Sequence, residues 1–94
     1  MLTYKSSCKT FEGTVLGSVL DFPGAIAYGQ SLNEARENLA SALRDIAEAS
    51  LLKGEPFPIP DATVVDRDAD LEEPIHLVLQ AGPQISLTVG VSTP

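Results

Sequence analysis

The sequence lacks the features that mark membrane proteins and disulfide-stabilised proteins. Its longest uninterrupted apolar runs span only a few residues, which is too short to cross a bilayer. The N-terminal residues do not combine a charged start with a long apolar block, so we expect no secretory signal. The chain has one cysteine, Cys8, and therefore no internal disulfide. These absences predict a cytoplasmic protein that has no contact with a membrane.

Basic residues are also scarce, because six Lys and Arg residues stand against 13 Asp and Glu residues, for a net charge of −7. The imbalance is concentrated in residues 54–94, where seven acidic residues face Arg67 alone. Such a chain is repelled by phosphate backbones, so we expect no direct binding of DNA or RNA. The acidic excess suits a basic protein partner, or it serves only to keep a small protein soluble.

The sequence offers few groups for catalysis or metal binding. His76 is the only histidine, and a single His with no second His or Cys nearby makes a poor metal site. Asp66, Asp68 and Asp70 match the first ligand positions of a calcium-binding EF-hand loop. The match then fails, because Leu71 occupies the position that requires glycine. A glycine-rich phosphate loop and a nucleophile elbow are both absent, so we expect no metal, no cofactor and no catalytic residue.

Residues 1–54 are predicted to form a β-β-β-α core. Residues 2–10 alternate along the chain, with lysines on the outer side, and residues 14–20 are strand-like again, so the two runs should form an antiparallel hairpin. The segment Asp21–Gly24 has the composition of a turn, which the Asp21 side chain is expected to fix by hydrogen bonds to its own backbone. Residues 25–28 follow as a short third strand.

The clearest helix signal covers Leu32 to Lys53. Ser31 and Glu34 form a capping box, in which Ser31 caps the first turn and Glu34 reaches back to the cap amide. Gly54 follows the last turn, as is usual at helix ends. Apolar residues recur at three- and four-residue steps and form one stripe: Leu32, Ala35, Leu39, Ala42, Leu43, Ile46 and Ala47. This stripe is expected to pack on a sheet.

The C-terminal part is predicted to complete that sheet. Residues 55–74 are a proline-rich and then acidic linker, since prolines at alternate positions exclude a helix. Residues 75–94 contain two strand-like runs, at 75–80 and 85–91, that are separated by a turn. The order β-β-β-α-β-β predicts a single α+β domain over residues 1–94, with one long helix on one face of a mainly antiparallel sheet.

A series of short motifs runs through residues 14–60 with no gaps in its spacing. It comprises a D-hydrophobic-P-G turn, a later glycine, a G-x-S-L-x-E-A start to the helix and a G-E-x-x-P segment behind it. The motif residues are Asp21, Pro23, Gly24, Gly29, Ser31, Glu34 and Gly54. In this order and spacing the motifs resemble those of the HicB-like antitoxin family.

The resemblance implies a truncated ribonuclease-H-like domain without catalytic carboxylates. It also implies a protein that is not an enzyme and that binds and silences a small basic toxin of the HicA type, which cleaves mRNA. Many members add a C-terminal DNA-binding domain, but residues 61–94 have no helical periodicity and no basic excess, so no such domain is expected. The candidate residues for binding the toxin are the acidic ones of this region: Asp66, Asp68, Asp70, Glu72 and Glu73.

Neutralising the three aspartates together should slow association with the toxin and leave folding unchanged, because a loop position is expected for all three. Two other functions stay open: an orphan structural domain that self-associates without a toxin, and a small enzyme or nuclease remnant. We also expect a homo-oligomer, a dimer or larger, since the uncharged run 85–91 would otherwise leave an undefended strand edge.

Overall fold

A computed structural model of the protein describes residues 1–80 and 86–91. The elements in chain order are β1 (Leu2–Phe11), β2 (Thr14–Val19), β3 (Ile26–Gly29), α1 (Leu32–Lys53), β4 (Leu71–Gln80) and β5 (Ser86–Val91). Within the described residues the strands form one five-stranded antiparallel sheet, in the order β3-β2-β1-β4-β5. The predicted α+β class and the antiparallel hairpin are confirmed, whereas the turn before β5 and Ile85 lie outside the described residues.

Helix α1 has the bounds that the sequence predicts, because local signals fix both of its ends. The Ser31 hydroxyl accepts a hydrogen bond from the backbone N–H of Glu34 at 3.1 Å, and Gly54 closes the last turn in the left-handed conformation. The Glu34 carboxylate accepts a hydrogen bond from the backbone N–H of Gln30, at 3.3 Å, and not from the N–H of the cap residue as expected. Within the described part of the chain, no helix combines the length and apolar character needed to cross a membrane.

The hydrophobic core lies between α1 and one face of the sheet, which we call the helix face. The predicted stripe supplies the helical side of the core, with Leu39 and Leu43 fully buried and Leu32 at its exposed margin. The other buried apolar members of this cluster are Tyr4, Val19, Phe22, Ala25, Ala47, Ile75 and Leu77. Most of the core therefore comes from the periodic residues of α1 and the strands, while Phe22 and Ala25 are added by the segment between β2 and β3.

Two motif glycines occupy positions that other residues would strain. Gly24 has φ of 91° in the turn that the N–H of Ala25 closes onto the carbonyl of Phe22, at 3.3 Å. A Cβ added to Gly29 would clash with the backbone nitrogen of Ala35. The first turn of α1 therefore lies directly on β3, at a distance that only glycine permits.

Strand β4 begins at Leu71, so part of the predicted acidic linker belongs to the sheet. Pro74 lies inside this strand, opposite Lys5 of β1. The N–H of Lys5 donates to Asp21 and its carbonyl accepts from the N–H of Leu20, so its polar backbone groups point away from β4. The Lys5–Pro74 pair therefore exchanges no hydrogen bond, and the missing proline N–H leaves the ladder between β1 and β4 intact.

Between α1 and β4 the chain crosses to the other face of the sheet, which we call the second face. On the helix face, the Tyr4 hydroxyl donates to the carbonyl of Pro58 at 2.7 Å. Farther along, the Lys5 ammonium on the second face donates to two carbonyls of residues 61–70, at 2.9 and 3.1 Å. We call residues 61–70 the covering segment, because they cover part of this face.

Candidate protein-binding surface

The buried carboxylate of Asp21 holds the covering segment against the sheet. Asp21 is 9% exposed, and its two oxygens accept hydrogen bonds from the backbone N–H groups of Lys5 and Asp61, both at 2.9 Å. The expectation that Asp21 fixes its own turn is therefore wrong. Pairing between β1 and β2 stops at Ser6 and Val19, so the N–H of Lys5 has no strand partner there and the carboxylate takes that place.

Glu73 lies on the helix face and not on an exposed acidic surface. Arg36 of α1 donates to both of its carboxylate oxygens, at 2.7 and 2.9 Å, and the Glu73 side chain is 9% exposed. This hydrogen bonding raises the pKa of Arg36 above its ordinary value. The bidentate pair joins α1 to β4. Glu73, one of the five predicted binding residues, therefore has a structural role in the fold.

Three more of the predicted binding residues hold the backbone in place. The Asp66 carboxylate accepts from the N–H of Asp68 at 3.0 Å, and the Asp70 carboxylate accepts from the N–H of Thr10 at 2.7 Å. The Glu72 carboxylate accepts from the N–H of Asp66, also at 3.0 Å. The expectation that neutralising the aspartates leaves folding unchanged therefore needs correction, because Asp66 and Asp70 bond to the backbone.

Asp68 has an exposed side chain at the rim of a groove on the second face. The groove has a volume of 620 Å³ and is lined by Lys9, Phe11, Glu12, Thr14, Leu16, Tyr28 and Asp68. It continues onto an apolar part of the second face formed by Phe11, Leu16, Ile26 and Tyr28, which we call the open half. Exposure is 70% for Phe11, 60% for Tyr28 and 50% for Ile26.

The sequence does not identify the open half as a binding surface, because turn and strand patterns already account for the hairpin loop and the short third strand. A weak signal is present in the register. Leu16 lies opposite Lys9 on one side and opposite Tyr28 on the other, so an apolar side chain occupies the outward phase of β2. An apolar side chain on the face of a strand that points away from the core indicates a contact surface. This face can be identified once the order of the strands is known.

Comparison with known proteins does not assign the chain to a family. No family model and no curated protein matches the chain. The resemblance to HicB-like antitoxins therefore depends on the motif residues, whose turn, close approach and helix ends are described above.

The titratable groups most suited to chemistry lie apart from each other. Within residues 1–80 and 86–91, no group of three or more His, Cys, Asp and Glu side chains is placed to hold a metal ion. Burial raises the pKa of the Cys8 thiol, and the Glu73 charge raises it further, which disfavours the reactive thiolate. His76 lies on the second face, where its Nδ1 is 3.0 Å from the Thr3 hydroxyl.

Proposed function

We propose that the protein is a non-catalytic protein-binding module, the HicB-like antitoxin of a small, basic, mRNA-cleaving toxin. The proposal is carried by the motif series in its structural setting. The turn at Gly24, the close approach at Gly29 and the helix ends at Ser31 and Gly54 follow each other in a chain whose first five elements have the order β-β-β-α-β, with β5 added after them. The resemblance implies this order, and the truncated ribonuclease-H-like classification is part of the same proposal.

The charge of the chain supports a basic partner. The net charge is −7, and the acidic excess lies in the C-terminal part, which includes the covering segment. A toxin that binds RNA presents a basic groove, and complementary charge raises the rate at which two proteins associate. The proposal also assigns the protein to the cytoplasm, where such a toxin meets its mRNA.

If the gene next to this one encodes a small basic protein, co-expression of the two tests the proposal, and a gene neighbourhood without such a protein would contradict it. The basic protein alone should arrest growth and deplete mRNA, while co-expression should restore growth and yield a complex that purifies as one species. The association rate should fall as salt is raised, since exposed charges are screened within about 8–10 Å near physiological ionic strength. Toxicity that persists on co-expression, or RNA cleavage by this protein alone, would contradict the proposal.

A self-associating domain without a toxin is the alternative, and the position of β5 favours it. β5 lies at one edge of the sheet, and residues Ser86–Val91 carry no charge to discourage pairing with another chain. Under this alternative the protein is a dimer or larger at tens of micromolar, and Thr88→Lys on the edge strand converts it to a monomer. A wild-type protein that sediments as a strict monomer excludes this alternative.

A further inference from the structure

The second face is covered where it is polar and open where it is apolar. Lys5 and Ser7 lie under the covering segment, which supplies carbonyl oxygens to Lys5 and the Asp66 carboxylate to Ser7, at 3.4 Å. Leu16 and Tyr28 lie farther along the same face, where the covering segment contributes Asp68 to the lining of the groove. Covering the apolar half instead would remove more apolar surface from water, so this half is available for contact with another molecule.

The groove beside the open half combines aromatic rings with carboxylates. Phe11 and Tyr28 supply the rings, and Glu12 and Asp68 supply the carboxylates. Aromatic faces attract cations, and carboxylates pair with them, so this combination suits an arginine guanidinium that stacks on a ring and donates at its edge. Lys9 also lines the groove, but its ammonium is 3.7 Å from a carboxylate oxygen of the covering segment. The charge left to the groove is therefore negative.

The backbone at Glu12 shows a second feature of this groove. Glu12 and Gly13 form the two-residue loop between β1 and β2, with φ of 50° and 81°. A loop with two positive φ values favours Asn, Asp or Gly at its first position, and a longer side chain there is uncommon. The sequence nevertheless places a glutamate at this position, and Glu12 lines the groove.

The edge of the sheet next to the groove is protected. β3 has four residues, and the Asn38 side chain of α1 donates a hydrogen bond to the Tyr28 carbonyl at 2.8 Å. A short edge strand whose carbonyl is already engaged is a poor template for an added strand. A partner therefore approaches over the face, where the Tyr28 ring is exposed, and not along the edge.

We propose that this groove docks an arginine-bearing, otherwise apolar segment of a basic protein partner. The guanidinium lies against the rings of Phe11 and Tyr28 and between the carboxylates of Glu12 and Asp68, while neighbouring apolar side chains pack on Leu16. The identity of that partner as the toxin rests on the proposed function above. A second copy of this chain and a nucleic acid are both disfavoured, because each would bring negative charge to a protein of net charge −7.

Affinity measurements on the complex with the basic protein test the docking site. Tyr28→Ala should raise Kd about tenfold or more, as expected for a central aromatic contact. Glu12→Gln and Asp68→Asn should each raise Kd about two- to fivefold. Ile59→Ala and Glu37→Gln are the matched controls, since Ile59 and Glu37 are exposed outside the groove, and they should leave Kd unchanged. If the wild type and all variants bind equally, the groove is not the docking site although the antitoxin function stands.

A second experiment needs no toxin. The amide resonances of Phe11, Glu12, Leu16 and Tyr28 should shift when ¹⁵N-labelled protein is titrated with an octapeptide of alternating arginine and leucine. The same peptide with citrulline in place of arginine should produce no such shifts, and Tyr28→Ala should abolish those caused by arginine. If the protein binds this peptide at the groove but neutralises no toxin on co-expression, the docking site stands and the antitoxin function is contradicted.

Three outcomes of these titrations would overturn the docking proposal. In the first, the arginine peptide shifts no resonance, or only resonances outside the groove. In the second, an oligouridine shifts the groove resonances, which would assign the site to single-stranded nucleic acid. In the third, the free protein is a dimer that Tyr28→Ala converts to a monomer, which would assign the surface to a second copy.

Discussion

The covered part and the open half of the second face belong to one sheet, yet their side chains meet different surroundings. Under the covering segment, the Lys5 ammonium and the Ser7 hydroxyl meet carbonyl and carboxylate oxygens. On the open half, the Ile26 and Tyr28 side chains remain half exposed or more. Polar groups determine where the covering segment lies, while apolar burial between the sheet and α1 supplies most of the stability. Substitutions on the two parts should therefore act on different properties.

The largest expected effect is on the free energy of unfolding, which a substitution on the helix face should lower far more than a substitution on the open half. Leu39 is 1% exposed, so Leu39→Ala should lower the free energy of unfolding by about 2–5 kcal/mol. Tyr28→Ala should change it by less than about 0.5 kcal/mol, because its ring is exposed. Ser31→Ala should fall between them, at about 1 kcal/mol, through loss of the helix cap. Urea unfolding measures all three.

The ranking of these variants is the check. If Leu39→Ala unfolds no more easily than Ser31→Ala, the apolar stripe is not the core. If Tyr28→Ala is as destabilising as Leu39→Ala, the open half is part of the folded core and not a free surface.

The next effect concerns the carboxylate that holds the covering segment. Asp21→Ala removes the acceptor of two backbone N–H groups and should lower the free energy of unfolding by about 2–3 kcal/mol. Hydrogen exchange should accelerate at the amides of Lys5 and Asp61, and Asp45→Ala on the exposed side of α1 is the matched control. Unchanged exchange at both amides would show that the covering segment is held by other contacts.

A smaller effect distinguishes two neighbouring aspartates of the covering segment. Asp66→Ala removes an acceptor of a backbone N–H and should lower the free energy of unfolding by about 1 kcal/mol. Asp68→Ala should change it by less than about 0.5 kcal/mol, because that side chain is exposed. Partner binding should show the opposite order, with Asp68 the more sensitive. If both variants change stability and binding to the same extent, the structure does not separate Asp66, as a residue that holds the covering segment, from Asp68, as a residue that contacts the partner.

The smallest effect is a dependence on pH at the start of the covering segment. Hydrogen bonds from the Thr63 hydroxyl, at 2.6 Å, and from the Thr63 N–H lower the pKa of Asp61. A lowered pKa in the folded state stabilises the fold above the ordinary Asp pKa, and this stabilisation is lost as pH falls through the folded value. Thr63→Val should raise the Asp61 pKa, measured from the carboxyl carbon resonance. An unaltered Asp61 titration would contradict this assignment.

The sequence predicts those parts of the fold that depend on near neighbours. The bounds of α1 follow from Ser31 and Gly54, which act within one turn of the helix. The β1–β2 hairpin follows from alternation on both sides of a two-residue loop. In both cases the determining residues and their effects lie within a few positions of each other.

The contacts that the sequence does not predict join distant residues. Asp21 binds backbone groups 16 and 40 positions away, so its own turn gives no sign of its role. The start of β4 at Leu71 is not predicted, because the consecutive Glu72 and Glu73 are typical of a loop. In the sheet, Glu72 comes within 4.0 Å of Lys5 on one face while Glu73 pairs with Arg36 on the other. A strand can carry both charges because each face supplies a cation.

The central position of β1 has a consequence for the order of folding. β2 follows it at once, but on the other side the Thr3–His76 hydrogen bond joins residues 73 positions apart. Hairpins form in about 1–10 μs, whereas pairing across long sequence separations is slower. During synthesis the hairpin and α1 can therefore assemble while one edge of β1 stays unpaired, for an interval on the order of seconds. In that interval the β1 lysines discourage a neighbouring nascent chain from pairing with this edge before β4 is made.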